Sequence, residues 1–185
     1  MEGLKRCDFL TREECDTIVR EILSLEDTVK RLGPDIYPGT SEDSLTGRYY
    51  CFNFLTIRSI NTIICPKLKE LFGPCVVQCW ANIFRQGEGI NKHRHIISKS
   101  TNTVLKASGN IFLYGDLTTG TYYEGVKYEN KIGELSLFPS DMFHSVPKNT
   151  SGDMRISMAI DVHADDKDIM NQMVDELPER FFYIR

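Results

Sequence analysis

The segment Gly133-Glu134-Leu135-Ser136-Leu137-Phe138-Pro139-Ser140-Asp141-Met142-Phe143-His144-Ser145-Val146-Pro147, with Arg155-Ile156-Ser157 after it, decides the fold. Its first half has the composition of a short strand over 134–138, which the Pro139-Ser140 pair ends in a turn. His144 follows that turn, where the chain emerges toward its next element. An imidazole at such a position is a candidate metal ligand, since its nitrogen binds iron and other transition metals.

A second strand is predicted over 155–162. Because side chains alternate between the two faces of a strand, Arg155 and Ser157 share one face, and the apolar residues between and after them mark the other face as core. A guanidinium beside a hydroxyl is well suited to a carboxylate, which it can bind through two parallel hydrogen bonds. An inward-pointing arginine needs such an anion, because burying an unpaired cation is costly.

His93 and His95 form an H-x-H pair in a strand predicted over 90–97. Positions two apart on a strand point to the same face, so two imidazoles there can bind one metal. His144, from a distant strand, would complete a facial set of three ligands with open positions for other molecules. The fourth histidine, His163, is interpreted as a surface or structural residue.

The region after Cys75 is predicted to be rich in strands. Short runs of β-branched and aromatic residues, many separated by glycine, are typical of an antiparallel barrel or jelly roll. The runs lie at 76–85, 90–97, 110–114, 121–128, 134–138 and 155–162. Residues 181–184 are expected to tie the end of the chain onto this body.

The N-terminal part is predicted to be mainly helical. A capping box at Thr11 and Glu14 opens a helix that Gly33-Pro34 ends, and a second helix over 60–72 is expected to break or restart at Pro66. Residues 49–57 are interpreted as a strand. The polar segments 35–47 and 96–105 are expected to be exposed loops that could act as lids, and 164–176 a helix.

Composition describes an ordinary globular chain of 185 residues, with 41% hydrophobic and 26% charged residues. The net charge of −4 argues against general nucleic-acid binding, which needs a basic surface. We see neither a signal peptide nor a membrane span, and therefore expect a cytoplasmic protein without membrane contact. Its six cysteines are expected to be reduced, buried thiols.

The motifs as a set resemble the 2-oxoglutarate/Fe(II)-dependent oxygenases. The glycine-led strand, Phe138-Pro139-Ser140, His144 and Arg155-Ile156-Ser157 closely resemble the C-terminal half of that family. The stretch from Trp80 to His95 looks like its first metal strand, and 110–114 like the strand that follows. The N-terminal Asp8-Phe9-Leu10-Thr11 and its helix are similar to the lead-in of prolyl-4-hydroxylase-like members.

This resemblance implies a fold, a site and cofactors. The fold would be α+β, with a double-stranded β-helix (jelly roll) core and N-terminal helices packed on one sheet. His93 and His144 would bind Fe(II), and Arg155 with Ser157 would bind the far carboxylate of 2-oxoglutarate. Asn82 and Tyr114 would line the co-substrate pocket. Ascorbate would be an optional further cofactor.

The chain departs from the family pattern at His95, where the usual H-x-D motif has a carboxylate. The favoured interpretation is that His95 binds the metal directly, as in related sequences with H-x-H. In a second interpretation, water or an anion takes that metal position and His95 faces the substrate. In a third, the site has lost its chemistry. Asp116 or Glu88 could also supply a carboxylate from a loop.

The sequence therefore predicts one domain over 1–185, with a helical lead-in (1–74), a β core (75–163) and a C-terminal tail (164–185). The expected function is a 2-oxoglutarate-dependent dioxygenase that hydroxylates a small-molecule or peptide substrate, as a monomer or homodimer. Two alternatives stay open. One is a cupin-like three-histidine dioxygenase without 2-oxoglutarate, and the other is a non-catalytic β-barrel binding module.

Overall fold

Two antiparallel sheets form the body of the protein in the computed structural model, which describes residues 3–33, 45–95, 105–165 and 180–185. The described helices and strands are, in chain order, β1 (Lys5–Asp8), α1 (Arg12–Leu32), two short 3-10 helices (Thr46–Arg48 and Phe54–Thr56), α2 (Arg58–Phe72), β2 (Cys75–Phe84), β3 (Ile90–His93), β4 (Leu105–Tyr114), β5 (Thr121–Tyr123), β6 (Val126–Tyr128), β7 (Glu134–Phe138), β8 (His144–Val146), β9 (Arg155–Ala164) and β10 (Phe182–Ile184).

The strands are connected as a jelly roll. The larger sheet has the order β1-β7-β4-β9-β2-β10 and the smaller one the order β3-β8-β5-β6. Neighbours in each sheet run antiparallel, and all except β5 and β6 come from separate parts of the chain, for example β3 with β8 and β4 with β9. This arrangement confirms the predicted α+β fold with a double-stranded β-helix core.

Both helices pack on the larger sheet. The apolar face of α1 buries Ile18, Ile22 and Val29, and that of α2 buries Ile60, Ile64 and Leu68, in one core with residues of β2, β4, β7 and β9. The opposite face of this sheet is turned toward the smaller sheet, where the candidate site lies. No helix in the described ranges is long and apolar enough to span a membrane.

The predicted start of α1 is confirmed. The Thr11 side chain accepts a hydrogen bond from the Glu14 amide, and the Glu14 side chain accepts one from the Thr11 amide, which completes the capping box. The predicted attachment of the chain end is also confirmed, because β10 pairs with the outer edge of β2.

Two predictions in the helical lead-in were wrong. Residues 49–57 form no strand, because the Asn53 side chain caps the second 3-10 helix through the Leu55 amide and also bonds the Val77 carbonyl. Helix α2 runs through Pro66 without a break. The missing amide at Pro66 forfeits one hydrogen bond, and the apolar face that α2 buries on the sheet outweighs that loss.

Two predicted strands were too long. The run 121–128 is a hairpin of two three-residue strands, β5 and β6, because Glu124 and Gly125 both adopt positive φ at its turn. The run 90–97 is a strand only as far as His93. The predicted tail helix over 164–176 begins in error at Ala164, which belongs to β9, and its remainder from 166 on lies outside the described residues, as do most of the two predicted lid loops, 35–47 and 96–105.

Gly133 joins the lead-in to the β core, and its replacement should destabilise the fold. Its carbonyl accepts hydrogen bonds from the amides of Phe9 and Leu10, its φ is +80°, and an added Cβ would collide with the Leu10 carbonyl oxygen. We expect Gly133→Ala to lower the free energy of unfolding in urea by at least about 1–2 kcal/mol.

The matched control is Gly152→Ala, because a Cβ there meets nothing within 4 Å and the backbone is not left-handed. Equal stability of the two variants would show that Gly133 has no special conformational role.

Candidate metal and co-substrate site

Three imidazoles meet between the two sheets. His93 ends β3 and His144 begins β8, and the two are direct partners across that antiparallel pair. Their ring centroids are 4.1 Å apart, and that of His95 lies 4.9 Å from His144. One ligand atom from each of the three residues lies within 4.8 Å of the others, a spacing that could hold a single metal ion.

The position of His95 in this cluster does not follow from strand alternation. Strand β3 stops at His93, and His95 lies in a bend beyond it, where its amide donates a hydrogen bond to the Ser140 carbonyl, 2.9 Å away. That bond ties the bend to the turn before β8. The pair still shares one side, with ring centroids 5.6 Å apart.

Each ring has an oxygen acceptor at its Nδ1 atom. The distances are 2.8 Å from His93 to the Asn91 carbonyl, 2.7 Å from His95 to Asp161 Oδ1, and 3.2 Å from His144 to the Met142 carbonyl. An acceptor at Nδ1 favours a proton on that nitrogen, so that in the neutral ring the lone pair lies on Nε2. The three rings are therefore prepared as metal ligands through Nε2.

Burial favours the neutral form of two of these rings, His93 and His144. Desolvation lowers the pKa of His93 to about 4 and that of His144 well below its ordinary value, and the neighbouring imidazoles add to both effects. Protons compete with a metal for the ring nitrogen. A ring that is already neutral at physiological pH therefore binds a metal ion more readily.

Acid should destabilise the metal-free protein between about pH 6.5 and pH 4. An unfolded histidine titrates near 6.5, whereas burial lowers the folded pKa of both His93 and His163 to about 4. Within this window the unfolded chain binds more protons than the folded chain, so the free energy of unfolding falls as pH falls. The loss is up to about 3 kcal/mol for each histidine, to be measured by urea unfolding.

His163→Phe tests this attribution, because His163 is buried against Phe181 with no hydrogen-bond partner for its ring nitrogens among the described residues. Part of the pH dependence should disappear in that variant. An unchanged slope would show that His163 does not contribute. His163 was expected to be either a surface or a structural residue, and because it is buried the surface interpretation is wrong.

Arg155 lies fully buried on the inner face of β9. Its guanidinium lies over the rings of Phe84 and Phe112 and donates to Ser157 Oγ (3.2 Å) and Thr121 Oγ1 (3.0 Å). Its Nε has no hydrogen-bond partner, and no carboxylate pairs with it, within the described ranges. Desolvation lowers its pKa to about 10, so it remains a cation.

One cavity contains both groups. The side chains that line it include those of the three clustered histidines, Arg155, Ser157 and Asn82, together with Thr46, Tyr49, Trp80, Asn110, Thr121 and Phe138. A buried cation with no counter-ion among the described residues fits a carboxylate ligand, and three clustered imidazoles fit a divalent transition metal. The residues present therefore fit Fe(II) together with 2-oxoglutarate.

The structure brings six of the seven predicted site residues to this cavity. Asn82 and Ser157 are register partners on β2 and β9, and the Asn82 amide lies 3.5 Å from Ser157 Oγ. Tyr114 is the exception, because it packs against the apolar core at the end of β4. Asp116 and Glu88 do not line the cavity either.

Sequence reasoning missed three polar residues here. Thr46 donates to Asn82 Oδ1 (2.6 Å), Thr121 accepts from Arg155, and Asp161 accepts from His95. Only Asp161 carried a usable signal, because it follows Arg155 by six positions on the same strand and so points to the same face. Thr46 and Thr121 arrive from a 3-10 helix and a short hairpin, which give no periodic pattern.

Comparisons with known proteins give one family match, to part of the chain. A family model described as "Putative 2OG-Fe(II) oxygenase" matches residues 115–161, a segment that includes His144 and Arg155. No curated protein sequence matched the chain.

Solved structures share the fold at low sequence identity. A prolyl-4-hydroxylase from Pseudomonas putida has 16% identity and a TM-score of 0.55, over 89% of this chain and 94% of that one. A viral collagen prolyl hydroxylase from Paramecium Bursaria Chlorella virus-1, solved with 2-oxoglutarate, has 14% identity and a TM-score of 0.58, over 89% and 97%. The alpha-ketoglutarate-dependent carbocyclase SnoK from nogalamycin biosynthesis has 14% identity and a TM-score of 0.63, over 89% and 80%.

The jelly-roll fold and the histidine cluster agree with the match of residues 115–161 to the 2OG-Fe(II) oxygenase family model.

Proposed function

We propose that this protein is a dioxygenase that hydroxylates a small-molecule or peptide substrate, with Fe(II) held by His93, His95 and His144. The observation that carries it is the meeting of this histidine cluster and the buried Arg155 in one cavity. With Fe(II) bound, dioxygen would be the oxidant: one of its oxygen atoms would enter the substrate as a hydroxyl group, and the other would enter succinate as 2-oxoglutarate is oxidised and loses carbon dioxide.

The protein residues have separate tasks in this proposal. Arg155, with Ser157 and Thr121, holds the far carboxylate of 2-oxoglutarate and so fixes the direction in which its 2-oxo acid end points. Phe84 and Phe138 border the cavity with apolar surface and keep water from the reacting centre. The substrate class is suggested by relatives such as a prolyl hydroxylase from Trichoplax adhaerens solved with a peptide fragment.

The lead-in and the β core form one unit in this proposal, because both contribute to the cavity. Thr46, from the lead-in, bonds Asn82 of β2, and Tyr49 lies 5.8 Å from Trp80, ring to ring. We therefore propose that residues 1–185 act as a single domain.

The test is co-substrate turnover. Anaerobically purified protein is mixed with Fe(II), ascorbate and 2-oxoglutarate, and oxygen uptake and succinate are followed against samples that lack iron or 2-oxoglutarate. We expect slow succinate formation that requires both. Oxygen uptake that does not depend on 2-oxoglutarate would favour a three-histidine dioxygenase. Protein that stays metal-free in excess Fe(II) would favour a non-catalytic binding module.

A further inference from the structure

We propose that Asp161 is a positioning residue that orients His95 and supplies negative charge to the metal centre through that ring. This inference deepens the proposed function and rests on it, since it takes His95 as a metal ligand. Asp161 lies on β9, on the same face as Arg155 and Ser157, and is only 7% exposed.

The carboxylate is held rigidly. Asp161 Oδ1 lies 2.7 Å from His95 Nδ1 and accepts a second hydrogen bond from Ser108 Oγ, 2.6 Å away. Ser108 Oγ also lies 3.2 Å from Ser140 Oγ, in the turn whose carbonyl fixes the His95 backbone. Strand β9 is paired on both sides, by β4 and β2, so the position of Asp161 is set by the centre of the larger sheet.

Among the described hydrogen bonds, the charge on the Nδ1 acceptor distinguishes His95 from the other two rings. His93 and His144 bond neutral backbone carbonyls, whereas His95 bonds a carboxylate. Three neutral imidazoles bring no negative charge to a divalent cation. A carboxylate behind one ring makes that ring more basic and is drawn toward the charge that the ring gains from the metal.

The burial of Asp161 supports this role. A carboxylate in a low-dielectric interior is costly unless it is hydrogen-bonded, and among the described residues His95 and Ser108 both bond its Oδ1 atom. No lysine or arginine forms an ion pair with it among the described residues. The negative charge of Asp161 therefore acts on the His95 imidazole, which faces the proposed metal.

The first test is metal affinity. Asp161→Asn keeps an oxygen that can accept from His95 but removes the charge, and Asp141→Asn makes the same chemical change at an exposed position near His144. Each protein is titrated with Co(II), and the visible absorption bands of bound cobalt report affinity and coordination geometry. We expect Asp161→Asn to bind Co(II) about 10–100-fold more weakly than wild type, and Asp141→Asn to match wild type.

A double-variant cycle tests whether Asp161 acts through His95. His95→Asp puts a carboxylate in the cluster, and that carboxylate would face Asp161 with like charge. Removing the Asp161 charge should then leave Co(II) affinity unchanged or increase it, which reverses the effect seen with His95 present. An equal loss in both backgrounds would show that Asp161 supports the fold and not the ligand.

A measurement on the wild-type protein keeps the test independent of how the variants fold. Nitrogen-15 spectra of the Zn(II)-loaded protein report which nitrogen of each ring carries the proton. We expect His95 to hold its proton on Nδ1 and to bind zinc through Nε2. Coordination through Nδ1 would overturn the role of Asp161.

The outcomes separate this inference from the proposed function. Wild-type protein that binds no Co(II) overturns both. The role of Asp161 alone is overturned by a different result. In that case the wild type binds Co(II), His144→Ala does not, and Asp161→Asn binds Co(II) with an affinity within about two-fold of the wild type.

Discussion

His144→Ala should abolish iron binding while the fold remains. His144 is the central member of the cluster, with ring centroids 4.1 Å and 4.9 Å from its two neighbours, and it alone begins a strand of the smaller sheet. Its loss leaves two ligands on one short segment of chain. We expect Fe(II) affinity to fall by more than about 100-fold, beyond the loss typical of removing a residue that only hydrogen-bonds a metal ligand. The measurement is bound iron after anaerobic incubation and desalting.

The matched control removes the fourth imidazole. His163 is buried outside the cluster, and His163→Phe should bind iron as the wild type does. Circular dichroism of both variants checks that the fold persists. Iron affinity that is unchanged in His144→Ala would show that the ligand assignment is wrong.

Arg155→Ala should raise the 2-oxoglutarate concentration needed for half-maximal turnover far more than it weakens iron binding. The guanidinium is fully buried, and its Nε has no protein acceptor among the described residues, so a bound dicarboxylate would be its counter-ion. Removing one partner of a buried charge pair typically costs about 2–5 kcal/mol, which corresponds to a rise of roughly 30- to several thousand-fold. Succinate formation against 2-oxoglutarate concentration measures it.

Two further variants separate this effect from misfolding. Arg155→Met removes the charge but keeps most of the side-chain volume, so it should show the same 2-oxoglutarate defect at wild-type stability. Arg94→Ala removes an exposed arginine that lies over Phe143 and should leave the 2-oxoglutarate requirement unchanged. Equal losses of iron and 2-oxoglutarate affinity in both Arg155 variants would point to a damaged fold.

The part of the fold that follows regular periodicity was predictable from the sequence. Strand β9 alternates as expected, with Arg155 and Ser157 facing the cavity and Ile156, Met158 and Ile160 in the core against the helices. The start of α1 was equally clear, because a capping box is a local pattern that needs no tertiary partner.

The segments that depend on tertiary contacts were not predictable. Residues 49–57 have the composition of a strand, but the Asn53 side chain bonds Val77 and Arg180, which lie far away in sequence. Helix α2 passes through Pro66 because the sheet beneath it buries Ile64 and Leu68 on both sides of that residue. Such contacts exist only once the sheet has formed.

The candidate site likewise has residues that were predictable from the sequence and residues that were not. The H-x-H pair, His144 and Arg155 could be found from spacing, although His95 reaches the cluster through a bend and its hydrogen bond to Ser140, not through strand alternation. Thr46 and Thr121 could not be found, because they come from short irregular elements. Tyr114 was assigned by resemblance alone, and in this chain it is partly buried and packs against the apolar core.

The most direct measurement is a crystal structure with Mn(II) and N-oxalylglycine, which stand in for Fe(II) and 2-oxoglutarate. We expect one manganese ion bound by nitrogen atoms of His93, His95 and His144, and the far carboxylate of the analogue paired with Arg155. A metal bound elsewhere, or an analogue whose carboxylate does not contact Arg155, would contradict the proposed site.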